Sequence, residues 1–152
     1  MTDEQRIHEL ESRLRRLEDL QEIQQLFIDY GLHLDAGDFD AYAQLFTTDA
    51  VLRLGPVARA DGRDDIKRVM SETLAGQAGS SYHIISSPQV TLHGDTATSQ
   101  VMWTVVHRQA DGQPRLTMMG RHVDELRREN GKWRIARRKG FVDIPSVYRA
   151  QG

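Results

Sequence analysis

His93-Gly94-Asp95, Asp111-Gly112-Gln113-Pro114 and Glu129-Asn130-Gly131 are the three short stretches that decide the fold. Each is rich in the residues that accept tight-turn backbone geometry. Around them lie four runs, residues 82–92, 96–109, 115–128 and 132–142, that read as strands. Turns this short join antiparallel neighbours, because a parallel crossover needs a dozen or more residues. The C-terminal half therefore predicts an antiparallel meander. Within it, residues 99–107 put Val101, Trp103, Val105 and His107 on one face and Met102, Thr104 and Val106 on the other. Both faces are substantially apolar, so both should be covered, one by helices and the other by a second subunit.

Outward from the meander, toward the N-terminus, the period changes from two to between three and four. Ile7, Leu10, Leu14, Leu17, Leu20, Ile23, Phe27, Tyr30 and Leu34 recur at helical spacing. Thr2 with Gln5 forms a capping-box pattern, and Gly37 is a natural helix stop. The stripe drifts by about half a turn between Ile7 and Leu34 at ~100° per residue. The sequence thus predicts a charged leader helix over residues 1–18 and a core helix over 19–36, the latter opening a single domain that runs to residue 152. A second helix is expected over 38–46 with Asp38 as its cap, a short strand over 50–54, a turn at Gly55-Pro56, and a third helix over 64–74. Helices followed by a meander make an α+β fold.

Composition narrows the function classes. The chain has 152 residues, a formal net charge of −2 and no cysteine. That excludes disulfides, thiolate nucleophiles and cysteine zinc sites. No global field favours nucleic acid or an anionic membrane. No run of about 18 apolar residues is present, and the charged N-terminus does not read as a signal peptide; a cytoplasmic protein is expected. The basic run Lys132, Arg134, Arg137, Arg138 and Lys139 lacks interleaved aromatics and reads as a solvated strand edge.

Four stretches carry a resemblance: residues 30–38 (Tyr30-Gly31-Leu32-His33-Leu34-Asp35-Ala36-Gly37-Asp38), Leu45-Phe46-Thr47-Thr48-Asp49-Ala50-Val51, Gly94-Asp95-Thr96-Ala97 and Asn130-Gly131-Lys132-Trp133-Arg134-Ile135. In this order the chain resembles the SnoaL-like branch of the NTF2-like superfamily. That implies a cone, with a strongly curved antiparallel sheet wrapped around about three helices and a deep apolar pocket. The pattern is similar to bile-acid 7α-dehydratases, and more distantly to hexachlorocyclohexane dehydrochlorinases and scytalone dehydratases. The resemblance implies Tyr30, Asp35 and His83 as a catalytic group, with Arg138 as a cation near the end of the last strand. It implies a cofactor-free lyase, a dehydratase acting on a hydrophobic alicyclic or polycyclic small molecule. An isomerase, a cyclase and a non-catalytic binding module use the same scaffold. Where the dehydratases carry an aspartate on the middle strand, this chain has Val105, with His107 on the same face.

Read from the residues themselves, Asp35 and His83 make chemical sense as a dyad. An imidazole can take a proton from carbon, and a carboxylate on its other nitrogen fixes the tautomer. The plainer alternative is a capping Asp35 and a histidine at a strand start. Tyr30 is either a core tyrosine or a donor to a developing oxyanion. About 140° separates Tyr30 from Asp35 on a regular helix, so both reach one pocket only if the helix ends or distorts near Leu34. Phe27, Phe46, Trp103, Val105, His107, Met118, Arg138 and Phe141 are the expected substrate-binding walls. His33, Asp35 and His83 match no standard zinc spacing, so no metal is expected. The doubly apolar strand and the leader stripe predict a homo-oligomer, with a trimer ahead of a dimer.

Overall fold

The computed structural model describes residues 1–145; residues 146–152, which end the expected domain, lie outside the described residues. Helix α1 (Asp3–Ala36) starts at a complete capping box, in which Thr2 accepts from the Gln5 amide and Gln5 accepts from the Thr2 amide. It stops at Gly37, whose φ of 69° suits glycine. The expected division into two helices at residue 18 does not occur. One continuous helix satisfies the drifting stripe by burying only its second half, from Asp19 and Ile23 onward, and leaving its first half in solvent.

Helix α2 (Phe39–Ala43) is capped by Asp38 and is shorter than expected. Strand β1 (Phe46–Leu54) already begins where the second helix was predicted to continue. Phe46 pairs with Ile135, so the ladder outweighs helix propensity there. Strand β2 (Ala58–Asp61) was not foreseen; it is a four-residue hairpin partner of β1. Helix α3 (Arg63–Thr73) and strands β3 (Ser81–His93), β4 (Thr96–Arg108), β5 (Pro114–Glu129) and β6 (Lys132–Ile144) follow.

The six strands form one curved open sheet in the order β2-β1-β6-β5-β4-β3. Every neighbouring pair is antiparallel except β1 with β6. Strand β6 thus lies inside the sheet, so its basic run is not a strand edge. Its register with β5 shifts between Leu126↔Ile135 and Glu125↔Arg137, which leaves Ala136 as an extra residue. The bulge inverts the alternation. Trp133 and Ile135 face the core before it, and Arg138 rather than Arg137 faces the core after it.

Asp19 fastens α1 to the sheet, accepting the Trp133 indole N–H at 3.1 Å and pairing with Arg128. Trp133, Tyr42, Phe46 and Ile23 are fully buried, and burial contributes about 1.5–3 kcal/mol for each such side chain. In β4, Val101, Trp103 and Val105 face this core. On the other face Met102 is exposed beside Tyr82 and Ile84 of β3, so the described residues leave that side of the sheet uncovered.

Candidate functional site

Two residues one helical turn apart dock α1 onto β3. Gly31 has no side chain where the carbonyl of His83 passes; a Cβ there would fall 2.9 Å from that oxygen. Four residues later Asp35 accepts the His83 backbone N–H at 2.9 and 3.1 Å and meets the ring Nδ1 at 2.7 Å. A carboxylate can only accept, so the ring proton in this contact sits on Nδ1. The lone pair of Nε2 is left free. The dyad is about four-fifths buried on both sides.

His83 opens on a cavity of about 120 Å³. Its walls are mainly apolar, with Leu54, Met70, Leu74, Trp103, Val105 and Met118, and its polar members are Tyr30, His83 and His122. Gly120 faces Trp103 across β4 and β5, and any Cβ there would come within 2.6 Å of the indole. The indole consequently lies across a strand with no side chain beneath it.

Behind Tyr30 is a buried ion pair. Arg138 donates to both oxygens of Asp124 at 2.7 and 2.8 Å, and Ser99 donates to Asp124 at 3.1 Å. The guanidinium lies 4.4 Å from the Tyr30 ring centre, within cation–π reach. Burial disfavours the Arg138 charge, but Asp124 more than offsets this and raises its pKa. Burial also raises the Tyr30 phenol, against the opposing pull of Arg138. Tyr42 packs on Tyr30 with ring centres 5.3 Å apart, and burial pushes its phenol well up. Both phenols are therefore hydrogen-bond donors at neutral pH. His122 stacks edge-on to Tyr30 at 5.2 Å. Burial first, then the positive charge of Arg138 and the nearby His83 ring, push its pKa well down, so it is a neutral imidazole. Its Nδ1 and the Trp103 Nε1 have no hydrogen-bond partner among the described residues.

The expected residues are placed as follows. Tyr30 and His83 both line the cavity. Asp35 does not; it touches His83 behind the wall, and α1 neither ends nor distorts at Leu34 but runs on to Ala36. Trp103, Val105 and Met118 are walls. Arg138 lies beneath the wall, held by Asp124 rather than aimed into the space. Phe27 and Phe46 are core residues outside the lining, because their positions face the sheet interior below the cavity. Phe141 leaves the lining for the opposite side of β6, where Arg121 covers its ring at 4.3 Å. His107 is engaged with Thr117, the bulged residue of β5, at 2.7 Å, away from the cavity. Among the described residues no group of three or more possible ligands gathers for a metal ion.

Sequence reasoning assigns no role to Asp124, Ser99, Tyr42 or His122. A signal exists. His122, Asp124 and Leu126 share one strand face with Gly120, and two polar residues on an inward face require partners. What hid the partner was the bulge at Ala136, without which Asp124 would face Arg137.

Residues 15–139 match the model of the SnoaL-like domain. An uncharacterized protein of Mycobacterium tuberculosis is 33% identical over 125 residues, covering 80% of this chain and 84% of that protein. An NTF2-like protein with a cystatin-like fold from Novosphingobium aromaticivorans superposes with a TM-score of 0.82 at 30% identity, over 91% of this chain and 90% of that one. A candidate scytalone dehydratase from the same organism gives a TM-score of 0.73 at 21% identity, over 85% and 87%; at that identity the likeness concerns the fold. On the extent of the family match and the fold that accompanies it, the chain belongs to the SnoaL-like family of the NTF2-like superfamily.

Proposed function

We propose that this protein is a cofactor-free lyase, a dehydratase acting on a hydrophobic alicyclic or polycyclic small molecule. The observation that carries the reading is the 2.7 Å contact between Asp35 and His83 Nδ1 at the wall of a mainly apolar cavity. The proton on Nδ1 leaves Nε2 as a base. It takes a proton from a carbon beside the one that bears the leaving hydroxyl, and the C–H electron pair becomes the new C=C bond. The C–O bond breaks, and the departing hydroxyl takes a proton from the Tyr30 phenol to leave as water. The imidazolium is held by Asp35 until it gives its proton to water and the Tyr30 phenolate takes one from water, which restores both groups. Arg138, against the Tyr30 ring, steadies the negative charge that develops on that phenol. The apolar walls exclude bulk water and strengthen each of these interactions.

The test is a panel of hydroxylated alicyclic and polycyclic compounds, screened first by thermal shift and then by mass spectrometry of the products. Binders should lose the mass of water, and His83→Gln should bind them without converting them. An unchanged product mass with a moved double bond would replace the lyase by an isomerase. Full activity in His83→Gln would overturn the mechanism.

A further inference from the structure

The first half of α1 has an apolar side that the described residues of its own chain do not cover. Ile7, Leu10 and Leu14 are each 56% exposed and Leu17 is 63% exposed. These four residues are spaced three, four and three apart, which is the a-d-a-d pattern of two heptads. With Ile7 as a, the g positions are Arg6 and Arg13 and the e positions are Glu11 and Glu18. The f and b positions farther along, Asp19 and Glu22, are those that bind the chain's own body, through Arg128 and Trp133. The apolar seam therefore points away from that body and is open to a partner helix.

The charges select the partner and its direction. In a parallel pair each g residue meets the e residue five positions later on the other helix. That places Arg6 against Glu11 and Arg13 against Glu18, each twice. An antiparallel pair sets g against g and e against e, arginine against arginine and glutamate against glutamate, which is repulsive. A membrane surface is a poorer occupant. Residues 3–18 carry Asp3, Glu4, Glu9, Glu11 and Glu18 against Arg6, Arg13, Arg15 and Arg16, with no cationic excess to draw them to anionic lipid. Isoleucine at the first a position with leucine at both d positions favours two strands.

We propose that the leader half of α1 forms a parallel, in-register, two-stranded coiled coil with the same segment of a second copy of this chain. The partner's helix covers the seam, and the two bodies hang from opposite sides of it with their cavities separate. The chemistry of the His83 cavity plays no part in this inference.

The test uses the full chain. Sedimentation equilibrium at about 10 µM, above the dissociation constants of stable short coiled coils joined to folded bodies, should give the mass of two chains. Leu10→Glu with Leu14→Glu should weaken self-association at least about 100-fold by placing charges in the seam. Its circular dichroism melt should stay cooperative, since both side chains are more than half exposed in the single chain. The chain has no cysteine, so Leu14→Cys supplies a single thiol. Mild oxidation should cross-link this variant to itself, because position 14 faces position 14 in the parallel register. A wild-type mass of one or three chains would overturn the proposal, as would a Leu10→Glu/Leu14→Glu variant that associates like wild type. Cross-linking only in a mixture of Leu10→Cys with Leu14→Cys would overturn it in favour of an antiparallel pair.

Discussion

Gly31 and His83 approach so closely that the helix backbone and the strand backbone touch, with His83's carbonyl oxygen 2.9 Å from where a Cβ on Gly31 would be. Gly31→Ala forces a backbone group to yield, and overpacking of this kind costs about 1–3 kcal/mol. Alanine recovers about 1 kcal/mol of helix propensity. Steric cost should prevail, because the obstructing atom is a strand carbonyl rather than a flexible side-chain end. A fall in melting temperature of about 2–4 °C is expected, at roughly 1 kcal/mol net for a domain of this size. Turnover should fall further than stability does, since the same displacement moves His83 relative to Asp35. A variant as stable and active as wild type would show that the contact positions nothing.

Arg138→Met removes the cation from a fully buried pair and leaves Asp124 without its counter-charge. Breaking such a pair by removing one partner costs about 3–5 kcal/mol. Adding Asp124→Leu to Arg138→Met should recover much of that loss, because the stranded charge is gone. Urea denaturation of both variants measures it. A single variant that loses less than about 1 kcal/mol, well under the usual cost, would mean that water reaches Asp124.

The alternation and turn residues of the C-terminal half made the meander legible, with bounds close to the observed strands. The Asp35–His83 pairing makes chemical sense from the residues alone, but family resemblance is what singles it out, since 48 residues and a helix–strand crossing separate the partners. His107 escaped because its partner, Thr117, is an extra residue of the neighbouring strand β5. Two further features escaped through the bulge in β6. The pairing of Arg138 with Asp124 depends on one extra residue at Ala136. The exit of Phe141 from the cavity wall depends on the face it takes beyond that bulge. A period-two reading has no register memory across a bulge, so each residue beyond one is assigned to the opposite face. The continuous α1 escaped for a different reason. The drifting stripe reads as two helices with different partners, whereas one continuous helix carries both faces, because nothing in its sequence breaks it between Asp3 and Ala36.

His122 should make stability depend on pH. Its folded pKa lies well below the ordinary histidine value, chiefly through burial. In the unfolded chain it takes up a proton near pH 6.5. Above that pH neither state is protonated and the folded protein keeps its full stability. Below it the unfolded state binds the proton and the folded state does not, so stability falls as pH drops toward the folded pKa. The slope from one such group approaches about 1.4 kcal/mol per pH unit. His122→Phe removes the titration, so the difference in unfolding free energy between wild type and variant should change with pH below 6.5 and be flat above it. A difference that is constant from pH 7 down to pH 5 would mean that His122 is protonated in the folded state.

Asp35→Asn separates the proposed base from its scaffold with the smallest change of shape. With the amide nitrogen in the place of Oδ1, the amide oxygen in the place of Oδ2 still accepts the His83 backbone N–H, now held at 3.1 Å there, so β3 should stay docked and loss of stability should be modest. The ring contact is different. An amide group facing Nδ1 can donate its own N–H, which favours the tautomer with the proton on Nε2. The nitrogen nearest the substrate then has no lone pair to take a proton, and the imidazolium loses its counter-charge. The rate constant kcat should fall about 10²–10⁴-fold, the usual contribution of a positioned general base, while KM and ligand-induced thermal shifts stay close to wild type. Asp35→Glu keeps the charge but lengthens the reach, and should retain more activity than Asp35→Asn. If KM rises and kcat holds, the dyad serves binding and the protein is better read as a ligand carrier. If neither changes, His83 needs no orienting carboxylate and the proposed elimination loses its base.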